Sequence, residues 1–563
     1  MLDDVTLRKR LTSRYDALKK ERAPWERVWQ SLAELVVPWM GRFGNVDPNQ
    51  GGERGEKIFD GEATRALDIL VAGLTSGLAG PSRPWFRLGL PDQELSDYAP
   101  VRQWLDSVEE TMQWIFQRTN TYRALSSAYA ELGLFGTAVT LWQPDDEDFL
   151  RGYTLTAGEY WLANGKNLEV DTLYRRIRMT VAQMVKTFGL DQVSQTVRDL
   201  WDKGTYDEWV TVIHALEPNI NWKPRRLGAE GKRWLLVYWE EAETKDKLLA
   251  VRGIDTFPVT APRWNALLYD VYGHGPAMRA LPDIRQLQNM ELTLHEALEK
   301  ELRPPMMAPI ELAKGGLSIS TMPAAINFLS VMTPGVQPLY QVKPDIASFA
   351  LKIEEIRRRI QSGFHADLFL AVTYLDRREI TAREIDVRQE EKLIALGPVL
   401  ERLHHEQLAP MIDITMDQMV RHSLVGWRTG GRAVIPPPPP ELEGMDLEVD
   451  FISPLAQAQR AVGTTALERV AAFMGNIAGI DPTAARKIIW PKMGEEYTTM
   501  LGVTSKVLRS DEELAAEQAA AAQQQQMQQM AQMGLAGVKG AELLSKTEVG
   551  GGQNALQLMM GRG

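Results

Sequence analysis

The sequence predicts an α+β fold, mainly α-helical, that is divided into several structural units. The chain has 563 residues, more than the roughly 250–300 over which one hydrophobic core usually extends. Apolar residues recur at helical spacing in some segments and at strand spacing in others. A long uncharged segment, punctuated by prolines, separates two helical patterns in the second half of the chain.

The helical pattern is clearest in five segments. Ala63, Leu67, Leu70, Leu74 and Leu78 show the spacing that places side chains on one helix face. The pattern predicts helices over about 7–35, 61–78, 101–118 and 277–301, one that contains Ile346 to Ile360, and a further helix near 180–203. Gly73 and Gly77 lie four residues apart within 61–78 and favour close packing of that helix in a soluble core.

Strand patterns and the uncharged segment complete the predicted framework. The strand candidates are 137–142, 152–156, 170–178, 209–216 and 233–240, with 326–332 and 336–342 inside the uncharged segment. Since long helices flank that segment, we expect an antiparallel helix pair with a small domain at its tip. The run Pro436 to Pro440 predicts a stiff polyproline II spacer between the body and the next unit.

Composition limits the function classes. The chain contains no cysteine, which excludes disulfides and thiolate metal sites and fits assembly in a reducing host cytoplasm. The start, Met1 to Asp4, carries acids before any apolar run, so we expect no secretory signal. Prolines and polar residues between Lys314 and Lys343 disfavour a membrane-spanning helix there. The net charge of −11 argues against a DNA-binding regulator, but it is compatible with a conduit past which DNA must slide.

Enzyme signatures are missing from the sequence. The chain has no G-x-x-x-x-G-K-[ST] and no G-x-S-x-G motif, so we expect neither Walker-type ATP binding nor covalent catalysis, and no cofactor. His404-His405-Glu406 lacks the i, i+4 spacing of a metal pair and is interpreted as solvated or interfacial. The run Asp145 to Asp148 is interpreted as an exposed acidic turn. A metal-dependent nuclease that uses these acids is the enzymatic alternative.

Four segments, taken in order, carry a resemblance to a known family. They are Ile58-Phe59-Asp60, the run Leu70 to Phe86 with its two helix glycines and Pro81, Leu132-Gly133-Leu134-Phe135-Gly136-Thr137-Ala138, and Phe451 to Arg460. In this order they resemble the head-to-tail connector (portal) proteins of short-tailed, T7-like bacteriophages. Thr381-Ala382-Arg383-Glu384 matches the Thr-Ala-x-Glu opening that recurs in that family, and it also reads as a capping box.

The resemblance implies a portal-type fold with wing, stem, clip and crown, assembled as a ring that is usually a dodecamer. The implied divisions are a wing at 1–275, stem helices at 276–303 and 345–363, a clip at 304–344, a channel loop at 364–380, a long kinked helix and return to the wing at 381–450, and a crown at 451–510. Gly397-Pro398 marks the expected kink. For 511–533, rich in Ala and Gln, a C-terminal barrel helix and a disordered low-complexity tail stay equal alternatives, and disorder is expected for 534–563.

The resemblance also implies the site and the partners. Tyr374, Arg377 and Arg378 lie in the implied channel loop and are the candidate DNA-channel residues, with pairing to Asp376 and Glu379 as the alternative for the arginines. The implied partners are double-stranded DNA, the major capsid and scaffolding proteins, the large terminase and tail adaptor proteins, at a capsid vertex of the virion. The structural alternative is another virion protein, such as a tail adaptor or an internal head protein.

Overall fold

The computed structural model describes residues 4–44, 55–92, 95–96, 98–145, 148–243, 247–303, 306–307, 337–338, 345–374, 396–429, 431, 433–442 and 444–453, and the single residues 455, 470, 471, 473 and 493. The chain forms two compact units, Met1–Gln459 and Arg460–Gly563. Every element described below belongs to the first unit.

The first unit mixes helices and antiparallel sheets, as the α+β prediction requires. Its longer helices are α1 Asp4–Leu35, α2 Glu62–Leu78, α3 Ala99–Arg118, α4 Thr121–Phe135, α5 Val181–Phe188, α6 Gln195–Asp202, α7 Pro276–Leu302, α8 Ile346–Gly363, α9 Ala366–Tyr374 and α10 Ala409–Thr429. Residues 396–403 are also helical, and a π-helical turn, His404–Leu408, joins them to α10.

The strands in the described ranges form four small sheets. They are β1 Phe86–Gly89, β2 Val139–Asp145, β3 Phe149–Leu155, β4 Tyr160–Asn164, β5 Val170–Thr180, β6 Trp209–Pro218, β7 Trp234–Glu240, β8 Ala250–Ile254, β9 Val259–Thr260, β10 Met306–Met307, β11 Gln337–Pro338 and β12 Glu448–Phe451. The largest sheet is an antiparallel meander in the order β4-β5-β6-β7-β8, and β3-β2-β9 form a second sheet. The pairs β1-β12 and β10-β11 are antiparallel.

The N-terminal helix covers one face of the five-stranded sheet. Its Leu7, Leu11 and Tyr15 are buried in a cluster with Trp161 and Trp239 from the strands. The carboxylate of Glu217 in β6 accepts hydrogen bonds from Arg10 and from the Tyr174 hydroxyl, the latter at 2.7 Å. The opposite face packs against the short helices α5 and α6, where the buried residues are Val181, Met184, Val193, Val197, Val212 and Leu249.

The structure has two short helices where the sequence predicts one. The pattern over 180–203 predicts a single helix, but α5 ends at Phe188 and α6 starts at Gln195. Gly189 takes a positive φ of 85°, a conformation that ends a helix and that glycine adopts most easily. The Ser194 side chain then accepts from the Val197 N–H as a new N-cap, so local capping outweighs the continuous apolar pattern.

Short elements escaped prediction. Strands β1, β4, β8, β9 and β12 have five residues or fewer, too few for a periodic signal. Helix α4 was also missed, although it ends at the Gly136 of a segment singled out above. Of the insert strands, β11 lies within the predicted 336–342, whereas 326–332 lies outside the described residues.

The long helices α7 and α8 pack side by side and antiparallel, as predicted. Ala280 lies beside Gly363, Asp283 pairs with Arg359 at 3.4 Å, and Glu291 pairs with Arg357 at 3.2 Å. Residue numbers therefore rise along one helix as they fall along the other. The strand pair β10-β11 lies just beyond these helix ends in sequence.

Helix α2 packs through its two predicted glycines. A Cβ atom added at Gly73 would meet the ring of Phe369 from α9, and one added at Gly77 would lie 2.5 Å from Leu455 Cδ1. From the other side, a Cβ at Gly133 of α4 would lie 2.7 Å from Leu67 Cδ1. The prediction of close packing is confirmed, and the missing side chain at Gly73 lets helix α9 pack on helix α2.

A valine at Gly73 should weaken the packing of helix α9 on helix α2. We expect Gly73→Val to destabilise the protein by about 1–3 kcal/mol, because the Phe369 ring must leave its place. Gly61→Val is the matched control, since a Cβ there meets nothing within 4 Å. The thermal unfolding midpoints of both variants, followed by circular dichroism, check this. Equal midpoints for the two variants would contradict the close-packing account.

Candidate functional site

The segments that carry the family resemblance lie against the root of the α7–α8 helix pair and against helix α2. The first of them ends at Asp60, which is 8% exposed. Its Oδ2 accepts from Arg357 Nε of α8 at 2.8 Å, and its Oδ1 accepts from the Glu62 N–H at 2.7 Å. Asp60 therefore starts helix α2 and holds helix α8 with the same carboxylate.

Helix α7 holds the same segment through a buried amide. Gln288 Oε1 accepts from the backbone N–H groups of Phe59 and Asp60 at 2.6 and 3.0 Å, and its Nε2 donates to the Asp60 carbonyl at 2.8 Å. These bonds use both ends of the side chain, which a buried amide requires. We call Asp60, Glu62, Gln288, Glu291 and Arg357 the helix-pair junction.

The third of the four resembling segments, Leu132 to Ala138, packs against the chain just before the start of helix α7. Gly136 has a φ of 76° and ends helix α4, and a Cβ there would lie 2.5 Å from the backbone N of Gly275. Its carbonyl accepts from the Trp264 N–H at 2.9 Å, and Thr137 Oγ1 accepts from the Gly273 N–H at 2.7 Å. Only glycine fits this crossing of two backbones.

The second resembling segment ends at Trp85 and Phe86, and these residues contact the start of the fourth segment at Phe451. Trp85 and Phe451 stack with ring centroids 6.5 Å apart and planes 8° apart, and the Ile452 N–H donates to the Trp85 carbonyl at 3.0 Å. Phe86 pairs with Phe451 in the β1-β12 ladder. The first residues of the predicted crown, 451–510, thus belong with the first unit, and the polyproline run before them leads back to the body.

Charge at the helix-pair junction is balanced by several carboxylates. Burial alone would lower the pKa of Arg357, but hydrogen bonds to Asp60 and Glu354 outweigh it and raise that pKa. Burial raises the pKa of Glu291, and the Asp60 charge raises it further. The arrangement fixes an arginine among acids and offers no nucleophile, so its chemistry is structural.

The structure places one of the three predicted channel residues, Tyr374, at the end of a helix. Tyr374 is the last residue of α9, whereas Arg377 and Arg378 lie outside the described residues. The segment 364–380 was predicted as a loop, and this is wrong for Ala366–Tyr374, which is helical. Burial explains the helix, since Ala366 and Leu368 are almost fully buried and Phe369 packs at Gly73.

Two surface interpretations need correction. The run Arg357-Arg358-Arg359 in the second predicted stem helix is typical of a solvated or intersubunit salt-bridging face, but Arg357 binds Asp60 within the chain. The cluster His404-His405-Glu406 was expected to be solvated or interfacial, and His405 is exposed. His404, however, stacks on Phe451 with ring centroids 4.2 Å apart, and Glu406 pairs with the buried Arg263 at 2.6 Å. Contacts with residues far away in sequence decide both cases.

The described acids of the nuclease alternative are paired with an arginine. Asp145 and Asp148 both pair with Arg151, at 3.4 and 2.6 Å, and the two residues between them lie outside the described part of the chain. Within the described ranges, no three His, Asp or Glu side chains are grouped so that they could hold a metal ion. No helix in those ranges is both long and apolar enough to cross a bilayer.

Sequence reasoning missed the residues that build the helix-pair junction. Asp60 was quoted only as part of a resembling segment, and Gln288 lies among the polar residues of an amphipathic helix. A signal did exist for Asp60, because an acid directly before Gly61 and a helix pattern is typical of a residue that caps the first turn. No local pattern could have paired it with an arginine almost 300 positions later.

Comparison with known protein families gives a match over residues 8–508, to the family described as bacteriophage head to tail connecting protein. The chain belongs to this family. The recognition made from the four segments is therefore confirmed, and the family's role is structural.

Two relatives of this connector are curated portal proteins. The probable portal protein of Bordetella phage BPP-1 is 39% identical over 531 residues, which cover 92% of this chain and 94% of that protein. The portal protein of Salmonella phage epsilon15 is 36% identical over 546 residues, which cover 96% of each chain. Together with the family match they confirm the predicted portal function.

A solved structure also matches, with a low score. A chain from a structure titled "Virion of native gene transfer agent (GTA) particle" has a TM-score of 0.28 and 11% identity, covering 72% of this chain and 89% of that chain. A score at this level carries no argument about this connector.

Removing the junction arginine should destabilise the connector. In Arg357→Ala the buried Asp60 carboxylate loses its charged partner, so we expect a loss of about 1–3 kcal/mol. Arg358→Ala is the matched control, because Arg358 is exposed and forms no ion pair among the described residues, and it should cost under about 0.5 kcal/mol. Thermal unfolding of both variants checks this, and a control as unstable as Arg357→Ala would contradict the role of Asp60.

A buried acid next to the third segment makes stability depend on pH. Glu131 accepts from the Ala157 N–H at 3.1 Å, and burial raises its pKa to about 8. An unfolded glutamate titrates near ~4.3, so the folded state retains a proton that the unfolded state has released between these values. The stability that Glu131 contributes is full below the unfolded pKa and is lost as the pH rises through about 8.

Glu131→Gln should remove that dependence while keeping an acceptor for Ala157. We expect the variant to gain stability relative to the unaltered protein on going from about pH 5 to about pH 9. Glu56→Gln, at an exposed position before helix α2, should show the same difference at both pH values. Thermal midpoints at the two pH values check this, and a Glu131→Gln difference that does not change with pH would contradict it.

Proposed function

We propose that this connector assembles into a closed ring, a dodecamer, at one capsid vertex, and that double-stranded DNA enters and leaves the capsid through the ring. The observation that carries the proposal is the family match over residues 8–508, together with an antiparallel helix pair whose root is held by the segments that carry the resemblance. In this proposal the pair α7–α8 is the stem.

The remaining parts follow the same scheme. The body at 1–275 is the wing, which contacts the major capsid and scaffolding proteins. The insert 304–344 is the clip, which docks the large terminase during packaging and tail adaptor proteins afterwards. Residues 451–510 are the crown, 511–533 form the candidate barrel, and the protein is a virion component after assembly in the host cytoplasm.

The stem and the channel segment share one support. Helix α9 leads from the buried Phe364 and Ala366 to Tyr374, and it is seated on Gly73 of α2. Helix α2 is in turn joined to both stem helices at the helix-pair junction. In the proposed ring, residues 375–380 thus start from an anchored helix, which suits a segment that guides DNA and resists its backflow.

An acidic chain suits passive passage. Strong phosphate neutralisation would bind DNA tightly and stall it, whereas this chain carries a net charge of −11. Arg377 and Arg378 are the proposed transient phosphate contacts. The energy for packaging comes from the terminase, so the connector itself performs no chemistry in this proposal.

The first test is assembly. Electron micrographs of the purified full chain, averaged in views along the particle axis, should show rings with a central hole and about twelve subunits. Monomers, or closed particles without a hole, at high protein concentration would contradict the proposal.

The second test concerns the channel residues. The double variant Arg377→Ala/Arg378→Ala should form rings, while particles assembled with it should retain less DNA than unaltered particles. Arg27→Ala, an exposed arginine of α1, is the control and should retain DNA normally. This is cleaner than deleting 370–377, which would also remove the last turn of α9. If particles assembled with the double variant retained full genomes, the proposal that these arginines help to resist the backflow of DNA would be contradicted.

A further inference from the structure

A folded basic loop protrudes from the five-stranded sheet between β6 and β7. Residues 219–233, here called the basic hairpin, contain five Lys or Arg residues and one acid, a net charge of +4 within a chain of −11. Lys223 and Arg225 are exposed and form no ion pair among the described residues. Part of the positive charge is therefore left for another molecule.

Apolar side chains accompany this charge. Leu227 is 99% exposed and Ile220 is 74% exposed, while Trp222 lies beside Arg233, whose Cζ is 5.6 Å from the ring centroid. Leucine and isoleucine gain nothing from phosphate groups, so the mixture fits a protein surface with acidic residues around an apolar patch better than it fits a nucleic acid.

The basic hairpin is held in one shape. Asn219 Nδ2 donates to the carbonyls of Ala229 and Lys232 at 3.0 and 2.9 Å, and the Lys223 N–H donates to the Glu230 carbonyl at 2.8 Å. Such preorganisation lowers the ordering cost of binding.

The opposite end of the same sheet has complementary charge. Residues 199–209, here called the acidic turn, contain four acids and one lysine. Asp202, Asp207 and Glu208 are exposed and form no ion pair among the described residues, and Tyr206 and Trp209 are 46% and 48% exposed. The ten-residue strand β6 connects the two surfaces, which places them roughly 33 Å apart.

We propose that the basic hairpin of one copy docks on the acidic turn of the next copy. Two different surfaces of one chain that fit each other form a heterologous contact, and this is the type of contact that closes into a ring. It also provides local attraction between chains that otherwise repel through their net charge of −11. The inference rests on the proposed ring function and names the surfaces that build the ring.

Charge reversal on both surfaces tests the contact. Lys223→Glu/Arg225→Glu, and separately Asp207→Lys/Glu208→Lys, should each raise about tenfold or more the protein concentration at which half of the chain is assembled. The variant that combines all four substitutions should assemble like the unaltered protein, because the charges are complementary again. Arg27→Glu reverses an exposed charge on α1 and is the control. Mass photometry of the full chain at low salt measures assembly.

The outcomes separate the two proposals. If the unaltered protein forms no ring, the proposed function fails first. If it forms rings and either reversal assembles normally, or if the combination does not restore assembly, the hairpin contact is wrong while the ring stands. If reversal leaves assembly intact but weakens binding of the rings to short duplex DNA, the hairpin is a nucleic-acid surface and the proposal is overturned.

Discussion

Close backbone approach around helix α2 is the constraint on which the rest of the described unit depends. The helix has no side chain at Gly73 and Gly77, so Phe369 and Leu455 reach its backbone, and Asp60 starts it while binding Arg357. Larger residues at the glycines would displace α9 and the segment after β12. Loss of the Asp60 carboxylate would separate α2 from the helix pair. Few residues thus fix the relative positions of helices α2, α7 and α8 and of helix α9, which leads to the proposed channel segment.

The sequence predicted much of this framework because periodic patterns are local. Helices near 61–78, 101–118 and 277–301 and the three central strands of the large sheet, β5, β6 and β7, were found from apolar spacing, and the role of Gly73 and Gly77 followed from their separation. The Asp60–Arg357 and Arg263–Glu406 pairs could not be found in this way, since their members are 297 and 143 positions apart. Helix α9 was missed because resemblance indicated a loop and the segment is too short for a decisive pattern.

The candidate site could be predicted only as a location. Tyr374 was assigned to the channel from its place in the family's order of segments, and the structure adds that the helix ending there is anchored on α2. The helix-pair junction, which does the anchoring, uses a carboxylate, an amide and a guanidinium with no catalytic arrangement. Structure and family therefore agree on a structural role. In the proposals above, the acidic net charge serves the passage of DNA and the basic hairpin serves contact between copies.

The central claim is that residues just after Tyr374 face the lumen of a ring. The chain contains no cysteine, so Arg377→Cys creates a single thiol that maleimide-coupled gold will label. Labelled rings of the full chain, viewed along their axis by electron microscopy, show directly where that residue lies. The account predicts gold density in the central hole. Gold at the outer rim of otherwise intact rings would contradict it.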